Sequence, residues 1–184
     1  MYRILSTVKN FKKLAENINV QMALDELIPY PELWDVFTAR QSTPGTAHSE
    51  TKCIPLRAPV VIDAHAVFND LNAEDTAFVP LLPESTKLFR EITKDVEKVG
   101  RVMIVALQPD GWIDPHVDEG AYADFYTRWH LVMYSKQGNL FRCGDEHKRF
   151  NEGELWWFNH KEEHEVFNDS EYTRIHMIID VKEK

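Results

Sequence analysis

Beyond Gly100 the chain falls into short apolar runs divided by turn residues: RVMIVAL (101–107), RWHLVMY (128–134), NLFRC (139–143), ELWWF (154–158), EVF (165–167) and TRIHMIIDV (173–181). Runs of this length, rich in β-branched and aromatic residues, predict strands. PDG (109–111), KQGN (136–139) and NEGE (151–154) supply the turns between them. In the last run Ile175, Met177 and Ile179 alternate with Arg174, His176 and Ile178, so its two faces should meet different surroundings. The spacing predicts a mainly β fold, an antiparallel barrel or jelly roll with flanking helices.

The first hundred residues carry a weaker pattern. Helices are expected near 8–17 and 21–27, and the two prolines of PYPELW interrupt any continuation. From Pro83 to Val99, Leu88, Ile92, Val96 and Val99 recur at helical spacing with Phe89 alongside, which predicts one helix backing a sheet. The expected organisation is a single domain over 1–184, with 1–100 a helical or irregular layer packed on a core at 101–181. QSTPGTAHSETK (41–52) reads as an exposed segment or a lid.

Composition narrows the partners. A chain of 184 residues with 43% hydrophobic positions suits one domain with a real core. Its net charge of -9 works against a grip on nucleic-acid phosphates or anionic lipid, so neither nucleic acid nor membrane is expected as a partner. Cys53 and Cys143 form no CxxC, and the lysine-interrupted start MYRILSTVKNFKKLAENI has no apolar core for a signal peptide or a membrane span. The expectation is a cytoplasmic monomer or weak dimer.

The chemistry-bearing residues cluster in the second half. His116 and Asp118, one residue apart in an extended segment, point to the same side and can share an ion. A third ligand is available at His160 or His164 in FNHKEEHEVFND. Two histidines and one carboxylate on one face of an octahedral iron(II) leave the other face open, as non-haem oxygenases require. A zinc helix of the HExxH kind is excluded, since Lys161 stands where the glutamate belongs. Arg174, ten positions after His164, offers a planar fork for the far carboxylate of a dicarboxylate such as 2-oxoglutarate. Arg128 and His130 share a strand face, and an inner polar network is their plainer role. The acidic run EEHE should raise the proton affinity of His164. Trp156 and Trp157 should face opposite ways and serve packing.

From QPDGWIDPHVD through RWHLVMY and FRCGDEHKRFNEGELWWFNHKEEHEVFND to YTRIHMIIDV, the chain resembles the catalytic domain of the aspartyl/asparaginyl beta-hydroxylase family. The resemblance covers roughly residues 101–181. It implies a double-stranded β-helix (cupin-like jelly roll) core, an iron(II) cofactor with 2-oxoglutarate and dioxygen as cosubstrates, iron ligation by His116 and His164, and 2-oxoglutarate held by Arg128, His130 and Arg174. It also selects His164, in HEV, over His160. Animal members lack the carboxylate ligand, so Asp118 points to a three-residue metal site in this chain. Arg40, His48 and Arg57 lie on a segment resembling ones that precede the core in small bacterial and phage members, where they would hold the carboxylate of an amino-acid or peptide substrate. The expected activity is hydroxylation of an amino-acid side chain with release of succinate and carbon dioxide. A cupin-type metal-dependent hydrolase or isomerase, and a non-catalytic jelly-roll binding module, are the alternatives.

Overall fold

A computed structural model describes residues 9–60 and 63–184. In chain order its elements are β1 (Phe11–Ala15), α1 (Gln21–Asp25), a 3-10 turn (Pro31–Asp35), α2 (Ala39–Ser42), β2 (Thr51–Ala58), α3 (Ala64–Asn69), β3 (Glu74–Asp75) and α4 (Pro83–Ile92). There follow β4 (Lys98–Leu107), β5 (Trp112–His116), α5 (Gly120–Phe125), β6 (Thr127–Tyr134), β7 (Asn139–Cys143), β8 (Glu146–Lys148), β9 (Leu155–Phe158), β10 (His164–Asn168) and β11 (Arg174–Lys182). A seven-stranded sheet runs β1-β9-β6-β11-β4-β2-β3, and a four-stranded sheet runs β5-β10-β7-β8, with antiparallel pairing throughout. This is the mainly β, antiparallel architecture that the short runs predict, in the cupin-like double-stranded form that the family resemblance implies.

Two apolar layers hold it together. Leu107, Val132, Trp156 and Phe158 of the large sheet meet Ile113, Phe141, Cys143 and Val166 of the small one, filling the space between sheets. On the other side of the large sheet, Ile54, Ile104, Leu131, Met177 and Ile179 pack against Ala23, Leu82 and Phe89 of the helical layer. β11 serves both layers. Its odd positions face the helices, while Arg174, His176 and Asp180, all buried, sit on the alternate face. The three turns read from the sequence close as expected, with Gly111 N donating to Gln108 O, Asn139 N to Lys136 O and Glu154 N to Asn151 O.

The first hundred residues depart from the helical or irregular layer expected of them, because three of their segments are strands of the large sheet. Phe11–Ala15, placed by the sequence inside a helix, is instead edge strand β1 on β9. Its alanine, leucine and lysines suit a helix, but the pairing partner decides, and Lys13 reaches Glu154 across the pair. The predicted start of that helix at position 8, like the rest of residues 1–8, lies outside the described residues. The helix expected over 83–99 stops at Ile92, where Thr93 caps it by bonding Phe89 O, and Lys98 onward pairs with β11. Val96 and Val99 still pack on the core, from the connection and the strand. Glu26 fixes the start of α4 by accepting from Glu84 N at 2.7 Å and Ser85 N at 2.6 Å. Among the described residues no helix is long and apolar enough to cross a membrane.

Candidate metal centre

His116 ends β5 and His164 begins β10, and the two are cross-strand partners in the small sheet. Pairing alone therefore sets their rings side by side, with centroids 4.2 Å apart. Asp118 follows two residues after His116, where the chain leaves the sheet. Its N–H donates to His160 O at 3.0 Å, which turns the carboxylate back toward the rings. Gly120 makes the next bend with φ +90, and a Cβ there would meet Phe68 O at 2.6 Å, so only glycine lets α5 start beneath α3. One ligand atom from each of His116, Asp118 and His164 lies within 4.8 Å of the others, and Nε2 of His116 is 3.9 Å from Oδ1 of Asp118.

Both rings are prepared to ligate through Nε2. Nδ1 of His116 bonds Asp114 O at 2.7 Å, and Nδ1 of His164 bonds Glu162 O at 3.0 Å. A carbonyl only accepts, so each Nδ1 must carry the proton and each Nε2 presents a lone pair. Nε2 of His116 is buried with no hydrogen-bond partner. Burial lowers the pKa of His116, and it pulls that of His164 down to about 4. The acidic run around His164 does not prevail, because Glu163 and Glu165 both pair with Arg142. Burial works to raise the Asp118 pKa, but Arg128 and the neighbouring histidines outweigh it and hold the carboxyl below its usual range. Two neutral imidazoles and an ionised carboxylate suit a divalent metal such as iron(II). His160 takes another role: its Nε2 donates to Ala123 O at 2.9 Å, fastening α5 behind Asp118.

The residues expected to hold 2-oxoglutarate fall into two groups. Arg174 and His130 line the interior. Nη2 of Arg174 donates to Nδ1 of His176 at 2.9 Å, no carboxylate among the described residues pairs with it, and burial draws its guanidinium down to about 9. Burial also holds His130 and His176 well below the ordinary histidine value, and the Nε2 of each is enclosed without a partner. Arg128 is engaged differently. Its Nη1 donates to Oδ2 of Asp118 at 2.7 Å, while Nε and Nη2 clamp both oxygens of Asp180 at 2.7 and 3.0 Å. The hydroxyl of Tyr122 donates to Asp180 at 3.1 Å and accepts from Arg101 N at 2.7 Å. Sequence reasoning passed over Asp180 and His176. Their signal was a polar side chain repeating on one face of an otherwise apolar strand.

Of the three residues expected to bind substrate, two are at the site. The ring of His48 stands edge-on to His116 with centroids 4.7 Å apart, and Arg40 lies against Met103 on the inner side of β4. Arg57 is not brought to it, since its three nitrogens donate to Gly100 O, Asp75 and Ala73 O around the β2–β3 pair. The 41–52 segment is less free than its composition suggests: Asp114 N donates to Ala47 O at 3.0 Å and Trp112 N to Glu50 at 2.7 Å, stitching it to β5. Trp156 and Trp157 pack as expected, with their indoles bonded to Glu154 and Thr127.

Two facing antiparallel sheets carrying a His-x-Asp and a distant histidine at one end define the construction used by iron(II)/2-oxoglutarate oxygenases. The sequence profile of the aspartyl/asparaginyl beta-hydroxylase family matches residues 30–184, and the chain belongs to that family. Among solved structures, a 2OG-Fe(II) oxygenase family oxidoreductase from Burkholderia pseudomallei aligns with a TM-score of 0.52 at 11% identity, covering 91% of this chain and 92% of that one. A Pseudomonas putida prolyl-4-hydroxylase aligns with a TM-score of 0.51 at 12% identity, covering 96% and 94%. At such identities these likenesses establish the fold. No curated protein sequence matches the chain.

Proposed function

We propose that the chain is an iron(II)- and 2-oxoglutarate-dependent hydroxylase acting on an amino-acid side chain, free or within a peptide, with release of succinate and carbon dioxide. One observation carries the proposal: His116, Asp118 and His164 converge with both Nε2 lone pairs set inward by Nδ1 bonds to backbone carbonyls. Iron(II) and 2-oxoglutarate, when bound, supply with dioxygen the chemistry that hydroxylates an unactivated C–H bond.

The chain's own residues do the rest. His116, Asp118 and His164 would hold the metal, and Arg128 orients the Asp118 carboxylate by donating to its Oδ2. Arg174 would receive the far carboxylate of 2-oxoglutarate: its guanidinium pairs with no acid among the described residues, and its Nη2 is held by Nδ1 of His176. His130 is buried on the neighbouring strand, its ring packed against Phe141 and Phe158 with centroids 5.6 and 5.1 Å away. A hydrolase or isomerase using the same ligands with zinc or manganese has no use for a buried, unpaired Arg174, which is why the oxygenase is favoured over it.

The test is direct. Protein purified under nitrogen is given iron(II) and 2-oxoglutarate, oxygen is admitted, and succinate is measured. Wild type should form succinate, and His116→Ala should form none and bind manganese(II) more weakly by calorimetry. Succinate formation that persists in His116→Ala would remove this ligand set.

A further inference from the structure

We infer that the groove between α5 and the neighbouring end of the large sheet docks an acidic peptide segment of a protein partner, its carboxylates meeting Lys12, Lys98 and Lys182 and its apolar side chains resting on Phe125 and Trp157. This surface is separate from the metal centre, and the inference stands independently of the hydroxylase reading.

The groove holds about 700 Å³ and opens to solvent. Strand alternation builds its floor. Lys12 and Leu14 turn to one side of β1 while Lys13 reaches Glu154 on the other, and Lys12 is the register partner of Trp157 on β9. Trp157 stays half-buried, its indole steadied by Thr127 Oγ1 at 2.6 Å. Phe125, the last residue of α5, forms the wall. No residue of α1–α4 lines the groove, so this stretch of the sheet lacks the cover that the helical layer gives elsewhere.

The charge here runs against the rest of the molecule. The chain carries 30 acidic and 21 basic side chains besides its histidines, yet Lys98 and Lys182 stand directly opposite one another on β4 and β11, a like-charge pairing that disfavours the folded state. Their ammonium groups lie over the one Phe125 ring, 5.8 and 5.0 Å from its centroid. Among the described residues no carboxylate forms an ion pair with Lys12, Lys98 or Lys182. The acids of the groove are already engaged: Asp124 accepts from Lys161, and Glu183 accepts from Trp129 Nε1 at 3.3 Å. Three cations around two aromatic rings are left to meet an incoming group.

That mixture of positive and apolar positions selects the occupant. A polynucleotide or an anionic membrane spreads uniform charge over an area wider than the groove and meets the field of a chain at -9. An extended peptide alternates its side chains, so acids can reach the lysines while apolar groups cover the rings. α5 begins two residues past Asp118 and ends at Phe125, about 8 Å of helix further on, which keeps a docked partner close to the metal centre.

The experiment uses the full chain treated with chelator, so that no metal attracts the acids of a peptide. A random dodecapeptide library displayed on phage is selected against it, and the peptides recovered are synthesised with a fluorescein label for anisotropy titrations. They should be rich in Asp and Glu interleaved with apolar residues, and their binding should weaken as salt rises. The variant Lys12→Gln/Lys98→Gln/Lys182→Gln should lose about 2- to 3-fold per lysine and about 10- to 30-fold in all, as exposed ion pairs are individually weak. Lys87→Gln/Lys136→Gln/Lys148→Gln, which changes the net charge equally at sites away from the groove, should stay within about twofold. Should the first triple variant fail to fold, Lys12→Gln and Lys182→Gln taken singly make the same comparison. Recovery of no acid-rich peptide, or equal losses in the two triple variants, would overturn the inference. So would tighter binding of a fluorescein-labelled oligothymidylate or of phosphatidylserine vesicles than of any peptide. Absence of succinate formation in the earlier assay leaves these titrations untouched, so the two readings fail separately.

Discussion

Arg128 stands between two carboxylates, donating Nη1 to Oδ2 of Asp118 at 2.7 Å while its Nε and Nη2 grip Asp180. Burial disfavours the guanidinium's charge, but Asp118 and Asp180 overcome that and raise its pKa. The fork is thereby a rigid spacer between β11 and the ligand after β5. Lysine, a single point donor, cannot span both acids. Arg128→Lys and Asp180→Asn should each weaken manganese(II) binding by about 10- to 100-fold, as loss of an orienting partner does in metal sites. Calorimetry checks this at a temperature where both variants remain folded by circular dichroism. Unaltered affinity would reduce the network to a structural brace.

The two histidines of NHKEEHE should separate cleanly. His164→Ala removes an inward lone pair and should abolish tight metal binding. His160→Gln, which keeps a donor for Ala123 O, should retain metal affinity within about threefold and lose roughly 1 kcal/mol of stability at most, the worth of an ordinary hydrogen bond. Metal titration and thermal melts of the pair provide the comparison.

Arg174 poses a contrast between function and stability. Arg174→Leu should weaken 2-oxoglutarate binding about 10- to 100-fold, since charge-assisted bonds are worth about 1.5–3 kcal/mol. It also removes a buried cation that lacks a counter-ion, so the ligand-free protein should melt at the same temperature or higher. Differential scanning calorimetry without ligand, set beside a 2-oxoglutarate titration, tests both halves.

Acid should loosen the fold through its inner histidines. Burial, the neighbouring Arg174 and other nearby charges hold His130 and His176 below their unfolded value, so below about pH 6.5 the unfolded chain takes up protons that the folded chain refuses. The stability these rings contribute is complete above that pH and is lost as pH falls, by up to about 1.4 kcal/mol per pH unit for each ring. In the chelator-treated protein, the urea midpoint should be flat from about pH 7 to 8 and fall from about 6.5 to 5. His176→Gln should lessen that slope by one proton's worth. An identical slope in the variant would show that His176 does not carry it.

Asn168 ties three loops together. Its buried amide donates to Leu107 O, Gln108 O and Tyr172 O at 2.9–3.0 Å, and its Oδ1 accepts from Ser170 Oγ at 2.6 Å. Asn168→Ala removes a donor common to the three carbonyls, of which Gln108 O keeps Gly111 N and Tyr172 O keeps Ser170 Oγ, and should cost about 2 kcal/mol. Denaturant unfolding measures it, and a loss under about 1 kcal/mol would mean that water replaces the amide.

Most strands of residues 101–181 are legible in the sequence because they are short runs rich in β-branched and aromatic residues set between turn residues such as Gly111 and Asn139, whereas β5 and β8 are too polar to stand out. Phe11–Ala15 is not, because an edge strand takes its conformation from β9, a partner far along the chain. The helix at Pro83 overruns in the sequence since Val96 and Val99 keep its spacing while belonging to a connection and a strand. At the site, His116, Asp118 and His164 are visible through their spacing and the family resemblance. Asp180 is hidden because its meaning depends on Arg128 lying opposite it on β6, a cross-strand relation. Arg57 misleads for the converse reason: its neighbours in sequence lead toward the site while its hydrogen bonds belong to the β2–β3 pair.

Strand β11 devotes one edge of its zigzag to greasy support and the other to an arginine, a histidine, an isoleucine and an aspartate, in that order. Deleting or duplicating one codon within it would invert both at once, driving three polar heads into the helix-backed oil and exposing the reaction chamber to isoleucines. Tolerance of length change should accordingly be low across this one strand.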